Sequence, residues 1–262
     1  LTLAFQDDPR FAELKKHRDE SGGIHHVWGM DRRITPLLME ALSDTKRFRL
    51  IVTYEERRAR EIVEDYRFYS RQTFYYPAKD ALFYSADIHS NNTVQERLEI
   101  FKKIAEGRPC TVVTTIEGLM DKIPSISHII ENILTIKVGD TLQLDTFSRK
   151  LTTLGYEKTS IVETPGQFSV RGGIIDIFSL TEECPYRVEL WGDDIDSIRS
   201  FDVESQRSME RVEEFVIYPS TEMVLDDVRI SKGIAKLEKE HKAQAKLLKE
   251  QFLLIQTVEF LM

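Results

Sequence analysis

Hydrophobic and polar positions change period several times along the chain, and each change marks an element. Residues 9–19 carry charges at helical spacing, and residues 35–42 read as a second helix with Pro36 at an early position. The run Phe48-Arg49-Leu50-Ile51-Val52-Thr53 is short and mostly apolar, which predicts a buried strand. Residues 55–66, rich in Glu and Arg at helical spacings, predict a helix, and residues 73–76 the next strand. Residues 92–105 read as a helix opened by a capping box, Thr93 with Glu96, and broken by Gly107-Arg108-Pro109. Residues 110–115 (CTVVTT) predict another buried strand, followed by a short helix over 116–121. Strands and helices alternating at this spacing predict a parallel sheet with right-handed crossovers.

Residues 124–133 change character and mark a boundary. A strand is expected at 134–138, a turn at Gly139-Asp140, and an amphipathic helix over 144–153 closed by Gly155. Residues 156–160 and 168–170 lead into the stretch on which the functional reading rests, VRGGIIDIFSLTEECPYRVELWGDDIDSIRSFDVESQR, residues 170–207. Gly172-Gly173 opens an alternating run, 174–178, and a polar, proline-containing loop separates it from 186–191. Period-two alternation puts Tyr186, Val188 and Leu190 on one face and Arg187, Glu189 and Trp191 on the other. Gly192-Asp193-Asp194 is a turn, and 195–201 returns as the next strand of a hairpin. Val188, Leu190, Ile195 and Ile198 can fill a core. Alternation alone gives the opposite face to solvent, and Trp191 can cover a sheet edge. An exposed Trp flanked by Arg and Glu is also what protein interfaces enrich. Residues 230–262 predict a long Lys/Glu-rich helix, with Leu237, Ala243, Leu247 and Leu248 as partial apolar positions. It ends at Phe260-Leu261-Met262 without a cap, as expected of a fragment of a longer chain.

Composition narrows the class. With 262 residues, 41% hydrophobic and 31% charged, the chain can hold one large folded domain or two or three smaller ones. No apolar run approaches membrane-spanning length, and the start has no basic-then-apolar leader pattern, so a soluble cytoplasmic protein without a membrane partner is expected. Cys110 and Cys184 are far apart, which suits neither a disulfide framework nor a zinc site. Net charge is −8, and residues 133–218 hold 16 Asp/Glu against 9 Lys/Arg, an excess of 7 negative charges. Phosphate backbones are bound by Lys and Arg. The region is therefore expected to meet a protein, and DNA only weakly and without sequence preference.

Several candidate chemistries lack their residues. A phosphate-binding loop needs glycines, a Lys and a Ser/Thr in fixed order. Trp28-Gly29-Met30-Asp31-Arg32-Arg33-Ile34-Thr35 offers one glycine, no Gly-Lys-Ser/Thr and an Asp that repels phosphate, so no ATP is expected to bind. Arg32 and Arg33 read as surface charges. His25-His26, adjacent on a strand, would point to opposite faces, with no Cys or acidic ligand nearby. Asp19-Glu20-Ser21 lacks the apolar strand that holds a magnesium-binding acid in helicases. Phe74-Tyr75-Tyr76 and Phe83-Tyr84 are aromatic but read as sheet core without basic interleaving, unlike a nucleic-acid stacking platform. No catalytic, cofactor-binding or metal-binding residue is assigned.

The stretch RGGIIDIF…PYRVELWGDDIDSIRSFDVESQRS closely resembles a segment shared by UvrB and the N-terminal region of bacterial transcription-repair coupling factors, and GRPCTVVTTIEGL resembles the same family. The resemblance implies an α/β fold: a degenerate RecA-like (P-loop-type) parallel-sheet domain without its nucleotide loop at 1–132, and an inserted small α/β UvrA-binding module (UvrB domain 2-like) at 133–218. Residues 219–262 would be the start of domain 1b, a long truncated helix. It implies that Arg171, Arg187, Glu189 and Trp191 bind UvrA, recruiting it to stalled RNA polymerase for nucleotide excision repair. The full protein is implied to be an ATP-dependent DNA translocase, with ATP and magnesium only in its motor domains. It is also implied to meet RNA polymerase and DNA through other domains, and to mask this surface with a C-terminal domain. The alternative is a UvrB-like damaged-DNA-binding helicase lobe. Because the four site residues read as facing away from the core, Arg171→Ala and Arg187→Ala are expected to leave the fold intact, and Val188→Asp to unfold the module.

Overall fold

The structure, a computed structural model, describes residues 5, 7–21, 23–31, 34–43, 47–79 and 88–240, without the side chains of 21, 88–91, 227 and 240. The chain forms two compact units, Leu1–Ile133 with Leu180–Glu183, and Leu134–Ser179 with Cys184–Met262.

The first unit runs α1 (Pro9–Ser21), α2 (Thr35–Leu42), β1 (Arg49–Thr53), α3 (Glu56–Arg67), β2 (Thr73–Tyr76), α4 (Ile88–Ala105), β3 (Thr111–Thr115), α5 (Ile116–Met120) and α6 (Ile126–Glu131). Its strands form a parallel sheet in the order β1-β3-β2. Register explains both faces. Ile51, Val113 and Tyr75 lie in one row and pack on Ala59, Val63 and Tyr66 of α3. The next row, Leu50–Val112–Phe74, looks the other way, where Val112 and Phe74 meet Leu98 and Phe101 of α4. Helices on both sides let β3 and β2 stay largely buried, whereas the edge strand β1, expected to be buried, has only Ile51 buried and leaves Leu50, Val52 and the preceding Phe48 exposed.

Two local readings need correction. The helix α4 begins at Ile88, so Thr93 is interior and no capping box forms; Glu96 instead pairs with Arg60 at 3.2 Å. The boundary segment 124–133 contains α6, where the Ser125 hydroxyl accepts from the His128 amide at 3.3 Å, and the second unit starts just after it. Residues 23–30 contain no strand, and His25 and His26 are exposed. Tyr75 and Tyr76 are buried in the sheet, but each carries a guanidinium on its ring, Arg60 at 4.4 Å and Arg97 at 4.2 Å. Arg97 is wholly buried and donates to the Pro77 carbonyl and to Asp121, both at 2.8 Å. Arg32, Arg33, Phe83 and Tyr84 lie outside the described residues, as does the helical reading of 241–262.

The second unit runs β4 (Leu134–Lys137), α7 (Leu144–Thr153), β5 (Glu157–Lys158), β6 (Gln167–Arg171), β7 (Ile174–Ile177), β8 (Tyr186–Trp191), β9 (Asp194–Phe201), β10 (Ser208–Val212), β11 (Glu214–Ile217) and α8 (Asp227–Glu240). Six strands form one sheet, β10-β9-β8-β7-β6-β5, antiparallel except between β5 and β6. β4 and β11 form a separate antiparallel ribbon. The row Val170–Ile175–Val188–Ile198–Val212 crosses five strands and faces the core. Phe147 and Leu151 of α7 close over it, with Ile136, Phe215 and Ile217 from the ribbon. The whole is mixed α/β, with one parallel and two largely antiparallel sheets.

Candidate functional site on the outer face of the six-stranded sheet

Two tight turns set out this face. β6 and β7 are joined by Gly172-Gly173, and β8 and β9 by Gly192-Asp193. Gly172 (φ 60) and Gly192 (φ 65) occupy the left-handed region that such two-residue hairpins demand. Opposite the core row lie two outward rows. One is Ser169–Asp176–Arg187–Arg199–Arg211, the other Arg171–Ile174–Glu189–Ser197. Arg171, Arg187 and Glu189 therefore share a face, as read from the sequence, and Trp191 continues the same strand.

Arg187 is not free on that face. Its Nε donates to Asp176 Oδ1 at 2.7 Å, its Nη2 to Asp176 Oδ2 at 2.9 Å, and its Nη1 to the Gln206 carbonyl at 3.2 Å. The guanidinium also lies 4.6 Å from the centroid of Phe201. The side chain is only 14% exposed. The bonds to Asp176 raise its pKa further above the ordinary arginine value, against the opposing effect of burial. Asp176 is 1% exposed and takes a second arginine, Arg171, at 2.8 Å, so one buried carboxylate holds both guanidinium groups. Arg171 remains 48% exposed.

Below Arg187 the face is dry. Val162, Phe178 and Phe201 form a small buried cluster with Val203 against it. The following loop supplies the Gln206 carbonyl. Asp202 pins that loop by accepting from Ser205 N at 2.8 Å and Ser205 Oγ at 2.6 Å, which holds its carboxyl below the usual range. Gln206 itself has φ 57, and its Nε2 donates to the carbonyls of Val203 and Val162 at 2.8 and 3.2 Å.

Beyond Arg187 the face opens to solvent at Trp191. Glu189 accepts from the Ser197 hydroxyl at 2.7 Å and lies 3.7 Å from Arg199, so it does not hold Arg187 in place by a hydrogen bond. Trp191 is 84% exposed beside the turn. A bulge between Glu189 and Leu190 restores the face on which Leu190 meets Ile195 and leaves Trp191 opposite Asp194. The sequence reading missed Asp176, Arg199 and Gln206. Asp176 had a signal, a lone carboxylate in the apolar run Ile174-Ile175-Asp176-Ile177-Phe178. The arrangement offers fixed donors, one half-buried carboxylate and a large bare indole, which suits binding. Among the described residues no three His, Cys, Asp or Glu side chains gather as a metal site.

Residues 134–223 match the model of the UvrB interaction domain. The chain is similar to a transcription-repair-coupling factor of Staphylococcus aureus (strain USA300), 30% identical over 233 residues, covering 88% of this chain and 20% of that protein. It is also similar to the transcription-repair-coupling factor of Bacillus subtilis (strain 168), 28% identical over 209 residues, covering 79% of this chain and 18% of the other. The chain thus spans 18 to 20% of the length of these relatives. Residues 134–223 thus match a UvrB interaction domain, within a chain that is similar over most of its length to transcription-repair-coupling factors.

Proposed function

We propose that this chain is a UvrA-recruiting module of transcription-coupled repair, and that it docks UvrA through the outer face of β6–β9. The observation that carries the reading is Trp191, 84% exposed on the strand that also bears Arg187 and Glu189, with Arg171 two strands away on the same sheet face. A bare indole beside pre-set charges is the composition of an interface anchor and its rim. The first unit fits a degenerate RecA-like domain: its sheet is parallel with helices on both faces, and its segment 28–35 carries no Gly-Lys-Ser/Thr. In this reading the chain itself catalyses nothing and uses neither ATP nor magnesium. ATP-driven movement on DNA and the contact with RNA polymerase belong to other parts of a longer cytoplasmic protein, and another domain of it masks this face. Calorimetric titration of UvrA into the 262-residue chain tests the proposal. Saturable binding that is lost in Trp191→Ala, with the melting temperature kept, supports it; a parent chain that does not bind UvrA rejects it. A parallel titration with ATP is expected to show no saturable heat.

A further inference from the structure

Residues 133–218 are acidic as a whole, yet their charges are sorted. Of the 9 Lys/Arg, four lie in the two outward rows, as Arg171, Arg187, Arg199 and Arg211; of the 16 Asp/Glu, only Asp176 and Glu189 do. Arg187, Arg199 and Arg211 stand directly across from one another on three adjacent strands. Like charges in that position repel. Asp176 offsets the repulsion at one end of the row, and Glu189, 3.7 Å from Arg199, offsets it in part at the middle.

The three arginines differ in what they have left to offer. Arg187 uses donors on all three of its nitrogens within the module and is 14% exposed. Arg199 is 38% exposed, and its ion pair with Glu189, at 3.7 Å, is longer than a hydrogen bond. Arg211 is exposed, with a single 3.4 Å contact to the Asp196 carbonyl. Trp191 and Glu189 sit between two accessible cations. Arg171 lies three strands away from Arg199, about 14 Å at the usual strand spacing.

We infer that Arg199, with Arg171 on the other side of Glu189, is a direct carboxylate-binding position of this docking face. Its occupant is an acidic surface of UvrA, with carboxylates on either side of an apolar recess for Trp191. Arg187 is a positioning residue behind that surface. The inference rests on the UvrA reading above. Two exposed guanidinium forks flanking an indole match planar carboxylates at two points, which sets orientation as well as attraction.

The test is the affinity and association rate of the 262-residue chain for UvrA, with melting temperatures measured alongside. Arg199→Ala is expected to weaken binding about tenfold, Arg199→Glu more than that, and Arg199→Lys to recover part of the loss. The salt dependence of association should flatten in Arg199→Ala, and the melting temperature should stay at the parent value. If Arg199→Ala and Arg199→Glu bind like the parent while Trp191→Ala does not bind, Arg199 is no contact, and the docking face stands without it. If the parent does not bind, or if Trp191→Ala also binds like the parent, the docking face itself is wrong and the inference falls with it. Weaker binding matched by a lower melting temperature, with no recovery in Arg199→Lys, makes Arg199 structural and likewise overturns the inference.

Discussion

Arg187 shows how far a side chain's face and its accessibility can differ. Alternation assigns it to the outside of the sheet, and there it is, but Asp176, Phe201 and the Gln206 carbonyl close around it. Removing Arg187 leaves Asp176, 1% exposed, with Arg171 alone. Breaking a buried pair strands a charge in low dielectric, so Arg187→Ala should cost about 2–4 kcal/mol of stability. Asp176→Asn should cost a similar amount, because it leaves the Arg187 fork facing an amide. Arg171→Ala keeps the Arg187–Asp176 pair and removes a half-exposed partner, so its cost should stay below about 1 kcal/mol. Urea unfolding of the three variants separates these sizes. Equal midpoints for Arg187→Ala and the parent would show that the pair adds nothing to the fold. A second residue-scale expectation concerns Tyr66. Its hydroxyl donates to Glu40 at 2.7 Å, and burial pushes the phenol up to about 12. The folded state therefore holds this proton more tightly than an unfolded chain, whose phenol ionises at about 10. The associated stability is whole below pH ~10 and is lost as pH rises toward ~12. Melting curves across that range should fall less steeply in Tyr66→Phe. Tyr75, pushed up to about 12 in the same direction, keeps part of the loss in place.

The hairpins carry the site, and their geometry was only partly legible in the sequence. Local periodicity suffices for α2, α7 and β2, whose observed ends coincide with the apolar patterns. It fails where a signal is shared. Thr93 and Glu96 have capping-box spacing, but the helix already runs from Ile88, so spacing alone cannot choose a start. β10 drew no strand reading, because its sequence SMERV buries no side chain fully and its pairing with β9 shifts register between Ser208 and Arg211. The pairing of Asp176 with Arg187 crosses a long loop, whose length leaves register open until the core is packed. The bulge in β8–β9 had a readable cause. Ile195 and Ile198 are an odd number of residues apart, so both can face the core only if one residue is squeezed out of register. That slip is also what brings Arg199 beside Arg187. At this scale the sharpest test is Gly155, which follows α7 with φ 88. A Cβ there would meet Thr221 Cβ and Cγ2 at 2.8 Å. Left-handed backbone and close contact act together, so Gly155→Ala should destabilise the second unit by about 1–3 kcal/mol. The first unit's melting should not move, which tryptophan fluorescence in Trp28→Phe and Trp191→Phe backgrounds can report separately.

Across the molecule, charge sorting makes an acidic chain able to attract an acidic partner at one place. At physiological salt the Debye length is about 8 Å, while neighbouring strands lie about 4.8 Å apart. Arg187, Arg199 and Arg211 therefore act as one local field. Charges more than a Debye length from this face are screened from an approaching surface. The net charge of −8 acts on DNA instead, whose long phosphate array samples the whole chain. Two opposite responses to salt follow. Association with UvrA should slow as salt rises from about 50 to 200 mM, because steering by the exposed cations is lost. Dissociation should change little, since the Trp191 anchor is apolar. Duplex DNA should bind weakly at the low end and not measurably at the high end, with no preference among sequences. Stopped-flow association with UvrA and gel shifts with DNA, in the same buffers, measure both. A UvrA association rate that does not change with salt would remove the electrostatic role of this face. Tight DNA binding that survives at the upper salt would place the chain with damaged-DNA binders rather than with recruiters of a repair protein.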